Sequence, residues 1–102
     1  MSKVFLAGFK AGKHRYEQVV DVETEETSLS IVDSSEVIYR VNAGGWVYNK
    51  HNALAGRFGL MDNKCWYYET MDKSMRLNTK YKELLEAERD VFSLILSLGY
   101  NE

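Results

Sequence analysis

The sequence predicts an α+β domain: a twisted antiparallel β-sheet of about five to six strands followed by one long C-terminal α-helix packed on one face. Three observations carry that expectation. Short stretches rich in β-branched and aromatic residues, separated by Gly- and Asn-containing turns, occupy residues 3 to 70. Apolar residues then take up helical spacing at Tyr81, Leu84, Leu85, Val91, Phe92, Ile95 and Leu98. Finally, 102 residues suffice for a single modest core, which makes residues 1–102 one domain.

Taken in order, Lys3 to Phe9 reads as a strand, and Gly8 and Gly12 bracket a turn around Lys10 and Lys13. Arg15 to Val22 is the expected partner strand. Glu23 to Thr27 is a polar, acidic loop, and Leu29 to Val32 has the composition of a short strand. Glu36 to Val41 alternates, placing Val37, Tyr39 and Val41 on one face and Glu36, Ile38 and Arg40 on the other. Asn42-Ala43-Gly44-Gly45 is a strong turn signal, after which Trp46 to Asn49 returns as the partner. Lys50 to Gly56 reads as a loop or a single helical turn. Arg57 to Met61 and Cys65 to Thr70 form a hairpin about Asp62-Asn63-Lys64, with Trp66 and Tyr68 on one face and Cys65 and Tyr67 on the other. Met71 to Leu77 is ambiguous, because Met71 and Met75 have the spacing of an extra helical turn.

The predicted helix runs from about Thr79 to Leu98. Asn78 or Thr79 is placed to cap its first turn, and Gly99 to end it, with Tyr100 folding back onto Ile95. At 100° per residue, Ala87, Leu94 and Leu98 fall to one side of the apolar stripe and Leu96 to the other. The arc is wide enough for a groove within the domain or for a second contact, such as a homodimer through this helix. Glu88 lies in the middle of the stripe, where an ionised carboxylate needs a partner. Either it pairs internally with Arg57, Arg40 or a tyrosine hydroxyl, or it marks a polar spot in an interface.

Composition excludes several classes. The longest apolar run, Val91 to Leu98, is broken by two serines and is far short of a bilayer span. The first residues lack the apolar length of a signal peptide, and a single cysteine allows no internal disulfide, so the cytoplasm is the expected compartment. Gly8 to His14 does not match a phosphate-binding loop: three residues separate its glycines where four are needed, and His14 stands where a Ser or Thr would reach Mg²⁺. His14 and His51 lack ligand-spaced neighbours, so no metal or other cofactor is expected, and Cys65 reads as a packed thiol.

Charge comes in blocks. Residues 1–16 carry four basic side chains and no acid; residues 17–36 carry seven acids and no base. Residues 37–82 are net basic and residues 83–102 net acidic, for an overall charge of −2. The middle block interleaves Lys50, Arg57 and Lys64 with Trp46, Tyr48, Trp66 and Tyr67, a mixture that suits single-stranded nucleic acid. Against that stands the sequence pI of about 5.7.

A short, proline-free, acidic domain with many aromatics and no site motif is compatible with a small accessory or inhibitor protein of the kind that phages and mobile elements encode. The leading expectation is a non-enzymatic protein-binding module, an inhibitor or adaptor. Trp46, Tyr48, Trp66 and Tyr67 would be its anchors, Glu23, Glu25 and Glu26 its electrostatic guide, and Glu88 a further contact. The alternative is a nucleic-acid-binding module using Lys50, Arg57 and Lys64.

Overall fold

In the computed structural model the described residues are 3–98. They form eight strands and one helix: β1 (Lys3–Ala11), β2 (His14–Asp21), β3 (Thr27–Ile31), β4 (Glu36–Val41), β5 (Trp46–Asn49), β6 (Leu54–Leu60), β7 (Trp66–Thr70), β8 (Arg76–Asn78) and α1 (Leu84–Ser97). All eight strands belong to one open sheet in the order β1 to β8, each antiparallel to the next. The α+β class is as the sequence predicts, but five to six strands becomes eight.

The turns explain how so many strands fit so short a chain. Every one of the seven connections contains one residue with positive φ: Gly12, Glu25, Ser35, Gly45, Asn52, Lys64 and Lys73. A single left-handed residue lets a short loop reverse the chain with the twist that flanking strands need. Side chains close these loops. Asn42 Oδ1 accepts from the Gly44 and Trp46 N–H groups at 3.0 Å, Asn49 Oδ1 from His51 at 2.9 Å and Ala53 at 3.1 Å, and Asp72 Oδ1 from Ser74 at 3.0 Å. The first turn falls at Gly12 and Lys13, so β1 runs through Lys10 rather than bending there.

Between β7 and α1 the sequence expectations are corrected. Met71 to Leu77 is not a helical turn: it is the last hairpin, with Lys73 left-handed and β8 paired to β7. The helix begins at Leu84, not Thr79. Thr79 sends both its N–H (2.9 Å) and its hydroxyl (2.7 Å) to the Trp66 carbonyl, and the Trp66 N–H reaches the Tyr81 carbonyl at 3.0 Å. Residues 79–81 are therefore tied to the start of β7 through a bend at Lys80 rather than wound into the helix, and Glu83 precedes the helix without a side-chain cap. The proposed Gly99 ending and Tyr100 contact lie outside the described residues.

One face of the sheet carries Leu29, Val41, Val47, Phe58 and Tyr68, all at most 2 % exposed, and α1 lies across it with Ala87, Val91, Phe92, Ile95 and Leu96. Phe92 stacks on Tyr39 at 5.0 Å between centroids and meets Phe58 edge-on at 6.0 Å. The helix touches both β1 and β7, so the sheet curls around it. In β4 the expected alternation fails: an irregularity in the β3 pairing lets both Ile38 and Tyr39 be buried while Val37 is exposed. Of the wide helical arc, Ala87 and Leu96 are covered, and Leu94 and Leu98 remain exposed.

Candidate functional site

The opposite, outward face of β4 to β8 gathers cations and rings. Arg40 stands directly across from Tyr48, Trp46 from Arg57, Arg57 from Glu69, and Glu69 from Arg76. Directly opposed side chains on one face of an antiparallel pair interact. Here three arginines lie over three rings: Arg40 over Tyr48 at 5.4 Å, Arg57 over Trp46 at 4.8 Å, and Arg76 over Tyr67 at 4.1 Å. Each is a cation–π contact, and a guanidinium resting on a ring keeps its N–H edge available.

Gly59 sets the position of Tyr67. The phenol crosses it so closely that a Cβ would sit 2.6 Å from the Tyr67 oxygen, so only glycine leaves the ring room to lie against the sheet. Arg76 covers that ring, and its Nε donates to Asn78 Oδ1 at 3.2 Å. Arg40 is held by Glu26 at 3.5 Å and by the Asn52 side-chain oxygen. Arg57 is different. Its contact is the Trp46 ring, and no hydrogen bond or ion pair to its guanidinium is found among the described residues.

The predicted anchors are thus only partly brought together. Trp46, Tyr48 and Tyr67 share the outward face with Arg57. Trp66 points to the other face, packs against the core and donates its indole N–H to the Lys82 carbonyl at 3.0 Å. Lys50 and Lys64 sit in turns at opposite ends of β6; Lys50 is 3.8 Å from Glu36, and Lys64 is a left-handed turn residue. Glu23, Glu25 and Glu26 occupy the β2–β3 turn. Asp21 Oδ1 receives the Glu23 N–H at 3.0 Å, Glu25 is its left-handed residue, and Glu26 joins the arginine face through Arg40.

Sequence reasoning missed Arg40 and Arg76 as members of this face. Arg40 was legible, since alternation sets it opposite Val41. Arg76 is not, because the three residues of β8 carry no strand signal of their own.

Glu88 is 1 % exposed, inside the domain. Its partner is none of the groups the sequence suggests: Gln18 Nε2 on β2 donates to Oε1 at 3.1 Å, and Oε2 is sealed without a partner. A side chain so enclosed touches no second chain while the fold is intact. Burial pushes the carboxyl up to about 7, against the opposing pull of the Gln18 hydrogen bond and, second to it, of the Thr27 hydroxyl, which makes no hydrogen bond to Oε2.

Cys65 is buried just before β7, and among the described residues no cluster of His, Cys, Asp or Glu could hold a metal ion. Among the same residues no helix is long and apolar enough to cross a membrane. In comparison with known proteins, the chain matches no family model, no curated protein and no solved structure.

Proposed function

We propose that this protein is a non-enzymatic protein-binding module, an inhibitor or adaptor, that engages its partner with the outward face of β4 to β8. One observation carries this reading: three arginine–ring stacks on adjacent strands, with the Arg57 fork unoccupied. Trp, Tyr and Arg are the residues that most often dominate binding energy at interfaces. Here they stand on paired strands and hold one another in place, so little side-chain freedom remains to be lost on association. Arg57 is the natural seat for a partner carboxylate, and the acidic β2–β3 turn beside Arg40 steers the approach of a basic patch.

The test is capture from source-cell lysate by the intact chain and by a Trp46→Ala/Arg57→Ala variant, each with and without nuclease. The expected result is a protein recovered by the parent chain in both conditions and lost from the variant. Equal recovery by the variant would remove this face from the interaction.

Rings alternating with cations on a sheet face also suit single-stranded nucleic acid. Glu69 stands between Arg57 and Arg76, and Glu26 on Arg40, which weakens that second reading. It predicts recovery that vanishes with nuclease, and oligonucleotide affinity that falls steeply as salt rises.

A further inference from the structure

A cavity of about 430 Å³ opens on the helix side of the sheet, away from the arginine face. Its apolar walls are Leu54, Met71, Met75 and Ile95, and two tyrosines, Tyr39 and Tyr68, also line it. Both are more than nine-tenths buried. Neither phenolic oxygen has a hydrogen-bond partner among the described residues, and neither is among the enclosed side-chain atoms that lack a hydrogen bond, which are His14 Nδ1 and Glu88 Oε2. Both tyrosines line the cavity, so a polar group bound there is placed to reach their hydroxyls.

The rim sets the charge that the cavity accepts. It is built by the β7–β8 turn, where Asp72 Oδ1 accepts from the Thr70 hydroxyl at 2.8 Å, the Ser74 hydroxyl at 2.7 Å and the Ser74 N–H at 3.0 Å. These bonds hold the Asp72 carboxyl below its usual range. All of them fall on one oxygen, leaving Oδ2 without a hydrogen bond among the described residues. Burial raises both tyrosines above the ordinary phenol value, so they stay neutral and can donate or accept. Among the described residues no Lys, Arg or His lines the space. An apolar chamber with a few convergent polar groups is the usual form of a small-ligand site, and this one carries a single fixed negative charge at its mouth.

We infer that this cavity is a binding site for a small organic amine, with the apolar body between Ile95 and the two methionines and the ammonium group at Asp72 and the phenolic oxygens. The inference is independent of the arginine face.

The test compares three probes of one shape on the intact protein: 2-phenylethylamine, 2-phenylethanol and phenylacetate, followed by backbone amide shifts of residues 54–55, 70–75 and 95. The amine is expected to saturate these shifts about tenfold more tightly than the alcohol, the scale of one charge-assisted hydrogen bond, with phenylacetate weakest. Asp72→Asn should erase the advantage of the amine and leave the alcohol unchanged. Equal or tighter binding of phenylacetate would overturn the assignment to amines. Absence of saturable shifts with all three would overturn the cavity as a ligand site. The comparison of probes on the parent chain stands even if a variant folds poorly.

Discussion

At the scale of single residues, Glu88 puts a carboxyl in the core with one of its oxygens sealed and without a hydrogen bond. Its folded carboxyl titrates near 7, above the ordinary 4.5 that the unfolded chain has, so the native state holds the proton more tightly. Stability from this group is complete below about 4.5 and is lost as pH rises through about 7. Acidification from pH 8 to pH 5 should therefore stabilise the protein, by on the order of 3 kcal/mol, in contrast to carboxylates held by salt bridges. Glu88→Gln keeps an acceptor for Gln18 and removes the charge. It is expected to flatten the pH dependence between 5 and 8 and to raise stability at pH 8 by about 2 kcal/mol. Urea denaturation of both chains at several pH values decides it, and a parent chain whose stability rises from pH 5 to pH 8 would sink the argument. The same residue shows how far sequence can be read. Periodicity put a carboxylate on the buried stripe, correctly, but its partner Gln18 lies 70 positions away on β2 and has no local signature.

At the scale of elements, the seven hairpin turns divide by what occupies their left-handed position. Where Gly, Asn or a Gly-rich run stands there, as at Asn42 to Gly45, the turn announces itself in the sequence. Where Glu25, Ser35, Lys64 or Lys73 stands there, it does so only if the neighbours are turn formers, as at Asp62-Asn63-Lys64. The turn at Lys73 is closed instead by Thr70, Asp72 and Ser74, and it leads to a strand of three residues, which is why β8 and with it Arg76 stayed hidden. Trp46 and Tyr48 follow the turn at Asn42 to Gly45 and Arg57 precedes the turn at Asp62-Asn63-Lys64, whereas the β5–β6 turn, with Asn52 left-handed, reads in sequence as a loop or a helical turn. A left-handed residue other than glycine costs about 1–2 kcal/mol, partly offset by the greater freedom that glycine has in the unfolded chain. Ser35→Gly and Lys64→Gly are both exposed sites, and each should gain about 0.5–1 kcal/mol, read as a rise in Tm. Gly45→Ala should go the other way by about 2 kcal/mol or more, because φ is 87° and the added Cβ would meet the Phe58 carbonyl oxygen at 2.8 Å. A neutral Gly45→Ala would show that this turn yields more readily than its contacts imply.

At the scale of the whole molecule, a meander pairs each strand only with its sequence neighbours, so the sheet alone resembles a chain of local contacts. What joins its two ends is α1, which follows the last strand yet rests on both β1 and β7. Phe92 is the centre of that junction: it stacks on Tyr39 from β4 and meets Phe58 from β6, and it is 1 % exposed. Cooperative unfolding of strands so far apart in sequence therefore depends on the helix. In the parent chain, amide signals from β1 and β7 should disappear at one urea concentration, together with the helical circular dichroism. Phe92→Ala should lower stability by about 3–5 kcal/mol, as truncation of a buried aromatic ring does, and should do so for β1, β7 and α1 alike. The decisive observation is whether the sheet outlives the helix. If the β4 to β6 amides of the variant stay protected after the helical signal is gone, the meander is stable by itself and the helix is an accessory. If all are lost together, the curled sheet exists because the helix fills it, and both the arginine face and the cavity owe their shape to that packing.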